Sequence, residues 1–101
     1  MDIPSAMNFA VYILYSQKLN RFYVGTSDDP NRRVFEHNSG KYDDAFTKNG
    51  IPWSLFLVIS DLTSEQAYKI ERHIKKMKSK KFIENLVQFP EIIDKLKKKY
   101  L

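Results

Sequence analysis

The stretch FAVYILYSQKLNRFYVG, residues 9–25, contains two apolar segments separated by a short polar one. Its first seven residues are rich in β-branched and aromatic side chains on both faces, which is typical of a strand covered on both sides. The polar SQKLN that follows favours a turn, and the last four residues are typical of the returning strand of a hairpin. If Tyr12 and Tyr23 pair across this hairpin, their side chains emerge close together on the same face.

A helix is expected directly after the hairpin, in TSDDPNRRVFEHNSG at residues 26–40. Asp28 or Asp29 can cap its first turn, and Pro30 suits the position that follows a cap. Gly40 lies just past the expected end, where a glycine commonly closes a helix. The helix therefore starts within a few residues of the hairpin's second strand.

The second half of the chain supplies one more strand and three helices. The segment WSLFLVIS, residues 53–60, predicts a strong strand that follows a loop punctuated by glycine and proline. Thr63 and Gln66 form a capping box for the next helix, and two short helices parted near Pro90 follow it. The buried stripe of the longer helix is expected to contain Ala67, Ile70, Ile74 and Met77, with Glu71 on its edge.

These elements predict one α+β domain at residues 9–101, with a small three-stranded antiparallel sheet flanked by helices. Residues 1–8 carry no strand or helix pattern and are expected to form a loose leader. No apolar run reaches the roughly 18 residues that a membrane span requires, and no signal segment is recognisable. The absence of cysteine excludes disulfides and thiolate metal sites, and it fits a cytoplasmic location.

The positive charge of the chain is concentrated in its last third. Residues 1–68 contain 6 Lys/Arg and 8 Asp/Glu, whereas residues 69–101 contain 11 Lys/Arg and 4 Asp/Glu. This asymmetry fits a polyanionic partner, most often a nucleic acid, and it fits a solubilising basic helix equally well. A membrane surface fits less well, because the basic stretch lacks a broad apolar face with aromatic anchors.

Tyrosine, arginine and histidine side chains are expected to meet between the hairpin and the first helix. Arg33 and His37 are four residues apart and therefore share a helix face. Hydrolysis of a phosphodiester needs a deprotonated water, a stabiliser of charge on the phosphate and help for the leaving oxygen. A tyrosine hydroxyl, with an ordinary pKa of about 10, is a poor base unless neighbouring cations depress that pKa. Arg33 and His37 are placed to do so.

Each of these polar residues also has a structural interpretation. Arg33 can form a surface ion pair with Glu36, and a single histidine on a helix, such as His37, is most often structural. Glu71 can pair with Lys75 one turn later. It also borders an apolar stripe and is surrounded by seven basic residues between positions 69 and 81, which favours a functional carboxylate.

The chain resembles the GIY-YIG nuclease family in four segments: VYI (11–13), YVG (23–25), RRVFEHNSG (32–40) and QAYKIERHIKKMKSKKFIENLV (66–87). The resemblance covers roughly residues 9–87. It is strongest to small stand-alone bacterial members, which are similar to the nuclease module of excision-repair and structure-specific endonucleases. The first motif is AVY rather than GIY, and its tyrosine is retained.

This resemblance implies a role for each residue of the set. Tyr12 would be the general base or its hydrogen-bonded helper, and Tyr23 would order water or phosphate, although the choice of base between them stays open. Arg33 would bind the scissile phosphate, and His37 would accept or relay the proton of Tyr12. Glu71 would hold one divalent cation, Mg²⁺ or Mn²⁺ in its place, with waters and phosphate oxygens completing the shell.

The expected function is that of a metal-dependent endonuclease domain that cuts DNA, which the resemblance favours over RNA. DNA repair is the expected setting, and mobile-element transfer and restriction stay open beside it. The alternatives are a catalytically inactive nucleic-acid-binding module of the same fold and a protein-interaction domain with a Lys-rich tail. Cleavage of both strands by a lone site would require dimerisation, rebinding or a partner protein. The residues expected to contact nucleic acid are Gly25, Thr26, Arg32, Lys75, Lys76 and Lys78.

Overall fold

The computed structural model describes residues 7–101, so most of the expected leader at residues 1–8 lies outside the described residues. The elements within this range are β1 (Phe9–Ser16), β2 (Arg21–Ser27), α1 (Pro30–Asn38), α2 (Ala45–Asn49), β3 (Trp53–Leu62), α3 (Ser64–Met77), α4 (Lys80–Gln88) and α5 (Glu91–Lys99). They form a three-stranded antiparallel sheet with helices on both faces. The predicted α+β fold is thereby confirmed.

The central strand of the sheet is β1, in the order β2-β1-β3. The register of the hairpin places Tyr12 opposite Gly25 and Tyr23 opposite Leu14. Because alternate residues of a strand share a face, Tyr12, Leu14 and Tyr23 all project to one side of the sheet. The expected common face of the tyrosines is confirmed. The two tyrosines are not directly paired but are diagonal neighbours across the hairpin.

The two faces of the sheet carry two separate apolar clusters. On one face, residues of β1 and β2 pack against the buried stripe of α3: Val11, Ile13 and Val24 against Ala67, Ile70 and Ile74. On the other face, the smaller cluster contains Tyr12, Leu14 and Trp53, with Tyr23, Val34 and Ile51 packed against it. Helices α1 and α3 therefore cover opposite faces. The expected burial of Met77 is wrong, because this last residue of α3 is 46% exposed where the helix ends.

The helix caps agree with the sequence in part. The side chain of Asp29 accepts a hydrogen bond from the backbone of Arg32, and that of Thr63 accepts one from the backbone of Gln66. A complete capping box also needs the side chain of Gln66 to accept a hydrogen bond from the backbone N–H of Thr63, and this bond is not formed. The amide of Gln66 donates instead to the carbonyl of Lys97 at 3.0 Å, and so ties α5 to α3.

Helix α2 lies within the segment expected to be a loop, residues 39–52. Asp44 caps it by accepting hydrogen bonds from the backbone and the hydroxyl of Thr47, at 2.8 and 3.0 Å. Five residues are too few to produce a recognisable helical period. Gly40, with a φ of 78°, closes α1 as predicted.

A two-way hydrogen bond fixes the end of α1 to the sheet. The side chain of Asn38 donates to the carbonyl of Trp53 at 2.8 Å and accepts from its backbone N–H at 2.6 Å. The indole of Trp53 donates in turn to the carbonyl of Thr47. These bonds hold α1 over the face that carries the tyrosines. Within residues 7–101, no helix is both long enough and apolar enough to cross a membrane.

Candidate active site

Tyr12 lies at the centre of the candidate site, with 0% of its surface exposed. Its hydroxyl is 3.3 Å from Nε2 of His37. Its ring occupies the space above Gly25, where an added Cβ would lie only 2.6 Å from the hydroxyl oxygen. Gly25 is among the residues expected to contact nucleic acid, and its missing side chain makes room for the ring of Tyr12.

His37 is surrounded by three tyrosines. It is 1% exposed, and its ring centroid lies 4.5 Å from those of Tyr23 and Tyr42 and 6.1 Å from that of Tyr12. The rings of Tyr12 and Tyr23 are stacked at 6.2 Å. Nδ1 of His37 is buried and has no hydrogen-bond partner among residues 7–101. The structure therefore brings both predicted tyrosines and the predicted histidine together.

Arg33 lies at the open side of this cluster, with its side chain 31% exposed. Its guanidinium carbon is 5.4 Å from the ring centroid of Tyr42, and its Nε is 3.9 Å from a carboxylate oxygen of Glu36. The pairing with Glu36 is thus present, at the long end of the range for an ion pair. Glu36 also accepts shorter bonds from Tyr42 and Lys41, at 2.9 and 3.1 Å. Arg33 consequently keeps hydrogen-bonding capacity for a ligand.

Tyr42 is a residue of this site that the sequence did not indicate. Its hydroxyl donates to Glu36, and its ring contacts both the guanidinium of Arg33 and the imidazole of His37. It lies between α1 and α2, in a segment without periodicity, so its direction could not be inferred. Its nearness to the end of α1 was the one available signal.

Burial determines the protonation of the central pair. It raises the pKa of Tyr12 to about 12, although the adjacent Arg33 guanidinium opposes this rise. Burial also lowers the pKa of His37, and the charge of Arg33 lowers it further. The expectation that neighbouring cations depress the tyrosine pKa is wrong for Tyr12, because removal from water outweighs them.

Glu71 projects from α3, on the face of the sheet opposite α1. Its side chain is 13% exposed and forms an ion pair with Lys75 at 2.5 Å. The pairing with Lys75 that helical spacing allows is therefore observed. The contacts of residues 7–101 do not link it to the tyrosine cluster. On β2, which lies at the edge of the sheet, Gly25 faces Tyr12 and the next residue, Thr26, faces α3.

The carboxylate of Glu71 is a hard oxygen donor of the kind that Mg²⁺ prefers. No group of three or more His, Cys, Asp or Glu residues that could hold a metal ion occurs in the described part of the chain. Mg²⁺ usually keeps several waters and is held by one or two carboxylates together with substrate phosphates. A single, mostly buried glutamate therefore fits this type of site, provided that a phosphate completes it.

The remaining predicted contact residues lie at the surface. Arg32 is half-exposed and paired with Asp28 at 3.3 Å, and Lys75, Lys76 and Lys78 are exposed at the end of α3. Lys78 adopts a left-handed conformation as the cap of that helix. These cations lie on two sides of the sheet, and Arg32 and Lys75 take part in ion pairs.

Comparison with known proteins identifies the family. The family model described as "GIY-YIG catalytic domain" matches residues 8–85, and the chain therefore belongs to the GIY-YIG family of nucleases. It is similar to a "Structure-specific endonuclease subunit SLX1 homolog" of Caenorhabditis briggsae, with 34% identity over 58 residues. That match covers 50% of this chain and 13% of the relative, so the chain spans a small part of the relative's length. No solved structure matches the chain.

Proposed function

We propose that this chain is a metal-dependent endonuclease domain that hydrolyses DNA phosphodiester bonds by attack of an activated water. The observation that carries the proposal is the meeting of Tyr12, Tyr23, Arg33 and His37 in one cluster under α1. A structural core at this position needs only apolar contacts. This cluster instead contains hydroxyl, imidazole and guanidinium groups. The family model of a catalytic domain, which matches residues 8–85, includes all four residues.

The geometry supports transfer of a proton from water through Tyr12 to His37, without a stable tyrosinate. The hydroxyl of Tyr12 is neutral at neutral pH, since its pKa is about 12, and it adjoins a histidine with a lowered pKa. Neutral His37 can accept a proton from Tyr12 as Tyr12 takes one from water, so no free tyrosinate needs to accumulate. Tyr23, stacked beside Tyr12, orders the water or the phosphate.

Arg33 is the phosphate-binding group of the proposal. Its guanidinium lies beside Tyr12, it is partly exposed, and its buried Nε has no hydrogen-bond partner within the described range. A guanidinium forms two parallel hydrogen bonds to phosphate oxygens and stabilises the charge that develops on them. Binding to Arg33 would place the phosphorus next to the hydroxyl of Tyr12.

Glu71 is the proposed ligand of one divalent cation, Mg²⁺ or Mn²⁺. When bound, such a cation stabilises negative charge on the leaving 3′ oxygen. Lys75 would release the carboxylate for this purpose and pair with a substrate phosphate instead. A phosphate at the β2 edge, near Gly25 and Thr26, would lie between Glu71 on one face and Arg33 on the other.

The proposed substrate is DNA, consistent with the excess of basic residues in the last third of the chain. The C. briggsae relative is named as a subunit of a structure-specific endonuclease. We extend that description to this chain as part of the proposal: it acts on branched or flapped DNA, and cutting both strands requires a partner protein or a dimer. A cytoplasmic location and a role in DNA repair belong to the same proposal.

The decisive experiment is a cleavage assay with supercoiled, nicked, branched and single-stranded DNA in Mg²⁺, Mn²⁺ or EDTA. Glu71→Gln should lower the rate about 100-fold or more, and Glu65→Gln is the matched control. Glu65 lies on the same helix and forms an i,i+4 ion pair with Lys69 like that of Glu71 with Lys75. Cleavage that persists in Glu71→Gln would contradict the assignment of the cation ligand.

A catalytically inactive nucleic-acid-binding module is the second candidate. It is favoured by one observation: the carboxylate of Glu71 is already neutralised by Lys75. The same assay separates the two functions. Salt-sensitive DNA binding without cleavage of any of the four substrates, in either metal, would replace the endonuclease with the binding module.

A further inference from the structure

A basic groove lies between the outer face of α3 and the end of α5. Its volume is about 1020 Å³, and one wall carries Lys69, Arg72 and Lys76 while the other carries Lys99 and Tyr100. Met77 contributes an apolar surface to the lining. Among the described residues that line this groove, none is acidic. Lys69 and Lys75 pair with Glu65 and Glu71, which lie outside this lining, and the groove surface itself presents positive charge from both sides.

The spacing of the charges suits a chain of phosphates. Lys69, Arg72 and Lys76 stand at i, i+3 and i+7 on the side of α3 that faces away from the sheet. Seven residues of α-helix rise roughly 10 Å, which is long enough for more than one phosphate of a nucleic-acid strand. Lys99 approaches from the opposite wall, so a strand in the groove would be contacted on two sides.

The walls of the groove are fixed to each other. The hydroxyl of Tyr100 lies 2.8 Å from Nδ1 of His73 on α3, and the amide of Gln66 donates to the carbonyl of Lys97. These bonds join the end of α5 to the first turn and to the C-terminal half of α3. A groove whose walls are already joined loses little conformational freedom when a ligand enters it.

The groove is continuous with the proposed cation site. Lys75 lines the groove, and its ammonium group also forms the ion pair with Glu71. A strand that follows the cations of the groove would therefore arrive at the carboxylate on the α3 face of the sheet. This continuity distinguishes the groove from a basic patch placed elsewhere on the surface.

We infer that the basic groove binds a single-stranded segment of nucleic acid adjoining the phosphate to be cut. The inference rests on the proposed function and narrows its substrate to DNA with a single-stranded arm beside the cleavage point. Proteins that hold single strands combine a positive groove, which follows the backbone, with aromatic surfaces that accept bases. A duplex offers only its outer phosphates, and it would leave Met77 and Tyr100 unused.

An acidic protein segment could also pair with the cations of the groove, but a segment of carboxylates would not be drawn towards the carboxylate of Glu71.

The test measures binding of the whole chain, in EDTA, to three labelled probes: oligothymidylate, a DNA hairpin and poly-glutamate. The groove variant combines Lys69→Ala, Arg72→Ala and Lys99→Ala. The control variant combines Lys80→Ala, Lys81→Ala and Lys95→Ala, which removes the same charge from exposed positions that do not line the groove.

The groove variant should bind oligothymidylate at least 10-fold more weakly than the parent chain, and the control variant should lose less than threefold. The slope of log affinity against log salt should fall by about 2 units in the groove variant, since each lost single-strand phosphate contact contributes roughly 0.7. Affinity for the hairpin should change less than that for oligothymidylate.

Three results would overturn the inference. The first is an equal loss of affinity for oligothymidylate in the two variants. The second is a groove-dependent preference for the hairpin, and the third is groove-dependent binding of poly-glutamate without binding of oligothymidylate.

Because the assay omits metal, it is independent of cleavage. A chain that cuts DNA while its groove variant binds normally refutes the groove alone. A chain that binds through the groove but never cuts refutes the nuclease proposal alone.

Discussion

The hydroxyl of Tyr12 lies 3.3 Å from Nε2 of His37, and both side chains are buried beneath α1. Burial shifts the pKa of the hydroxyl upwards and that of the imidazole downwards. At neutral pH the pair is therefore uncharged. Such a pair can transfer a proton from Tyr12 to His37 when a phosphate binds, and without a bound substrate it buries no charge.

Tyr12→Phe keeps the buried ring and removes only the hydroxyl. We expect cleavage to fall roughly 100- to 10,000-fold, the usual range for loss of a proton-transfer group. The free energy of unfolding should fall by about 1–3 kcal/mol, since a buried nitrogen of His37 loses its partner. Plasmid nicking and thermal unfolding, measured on the same preparation, report the two effects separately.

The matched control for this change is Tyr15→Phe. Tyr15 lies on the same strand, and its hydroxyl donates to Asn20 at the surface, away from the candidate site. Cleavage by this variant should equal that of the parent chain. A Tyr12→Phe protein that is folded and cuts at the parental rate would remove the hydroxyl from the mechanism.

The stability of the chain should fall as the pH drops from about 7 to 5. Burial lowers the pKa of His37 and that of His73 below the ordinary value of about 6.5. The unfolded chain therefore binds more protons than the folded chain in this window. Stability is fully present above the unfolded pKa and is lost as the pH falls through the folded pKa. Melting temperatures across this range measure the effect.

Histidine variants assign the pH effect. His37→Gln and His73→Gln should each flatten the dependence of the melting temperature on pH, and the double variant should flatten it most. These are the two histidines of the sequence. The carboxylates of Glu36 and Asp44, whose pKa values are lowered, act only at more acidic pH. An unchanged slope in His37→Gln would show that this imidazole is not protonated on unfolding in this range.

Gly25→Ala should damage the candidate site through Tyr12. The added Cβ would lie 2.6 Å from the tyrosine hydroxyl, so the ring must move away from its position beside His37. Crowding of this kind costs about 1–3 kcal/mol of stability, and we expect cleavage to fall at least as far as in Tyr12→Phe. Thermal unfolding and plasmid nicking measure both consequences.

Gly40→Ala separates the two effects. Gly40 has a φ of 78°, and apart from its two chain neighbours no described residue has an atom within 4 Å of its added Cβ. Alanine there should cost about 1–2 kcal/mol through backbone strain, with no change in cleavage at a temperature where the chain is folded. Equal losses of cleavage in the two variants would show that Gly25→Ala acts through general destabilisation.

Arg33→Lys keeps the positive charge and removes the planar fork. If Arg33 binds phosphate through paired hydrogen bonds, cleavage should fall roughly 100-fold while the salt dependence of DNA binding is unchanged. Arg21→Lys, at the exposed start of β2, is the control and should leave both quantities unaltered. Full activity in Arg33→Lys would reduce the role of Arg33 to that of a point charge.

Local features of the chain could be predicted from its sequence. The hairpin follows from strand composition, the start of α1 from Asp29 and Pro30, and the shared face of Arg33 and His37 from helical spacing. Each of these depends on residues within a few positions of one another. The three-stranded fold and the meeting of the tyrosines with the first helix followed from them.

Features that depend on contacts between distant residues could not be predicted in this way. The packing of Tyr12 against Gly25 depends on the strand register, and the position of Tyr42 depends on how the chain leaves α1. The sign of the Tyr12 pKa shift depends on burial, which outweighs the visible cation Arg33. The placement of Glu71 on the other face of the sheet likewise follows from the packing of α3.

The smaller apolar cluster, formed by Tyr12, Leu14 and Trp53 with Tyr23 against it, holds α1 on the sheet and also contains the candidate catalytic groups. Loss of the whole side chain of Tyr12 or Tyr23 would therefore weaken one of the two cores together with the candidate chemistry. Engineering for heat resistance meets the same constraint. Aliphatic replacements in this cluster would remove the tyrosine hydroxyls that the candidate chemistry needs. Gains in stability are better sought between α3 and the sheet.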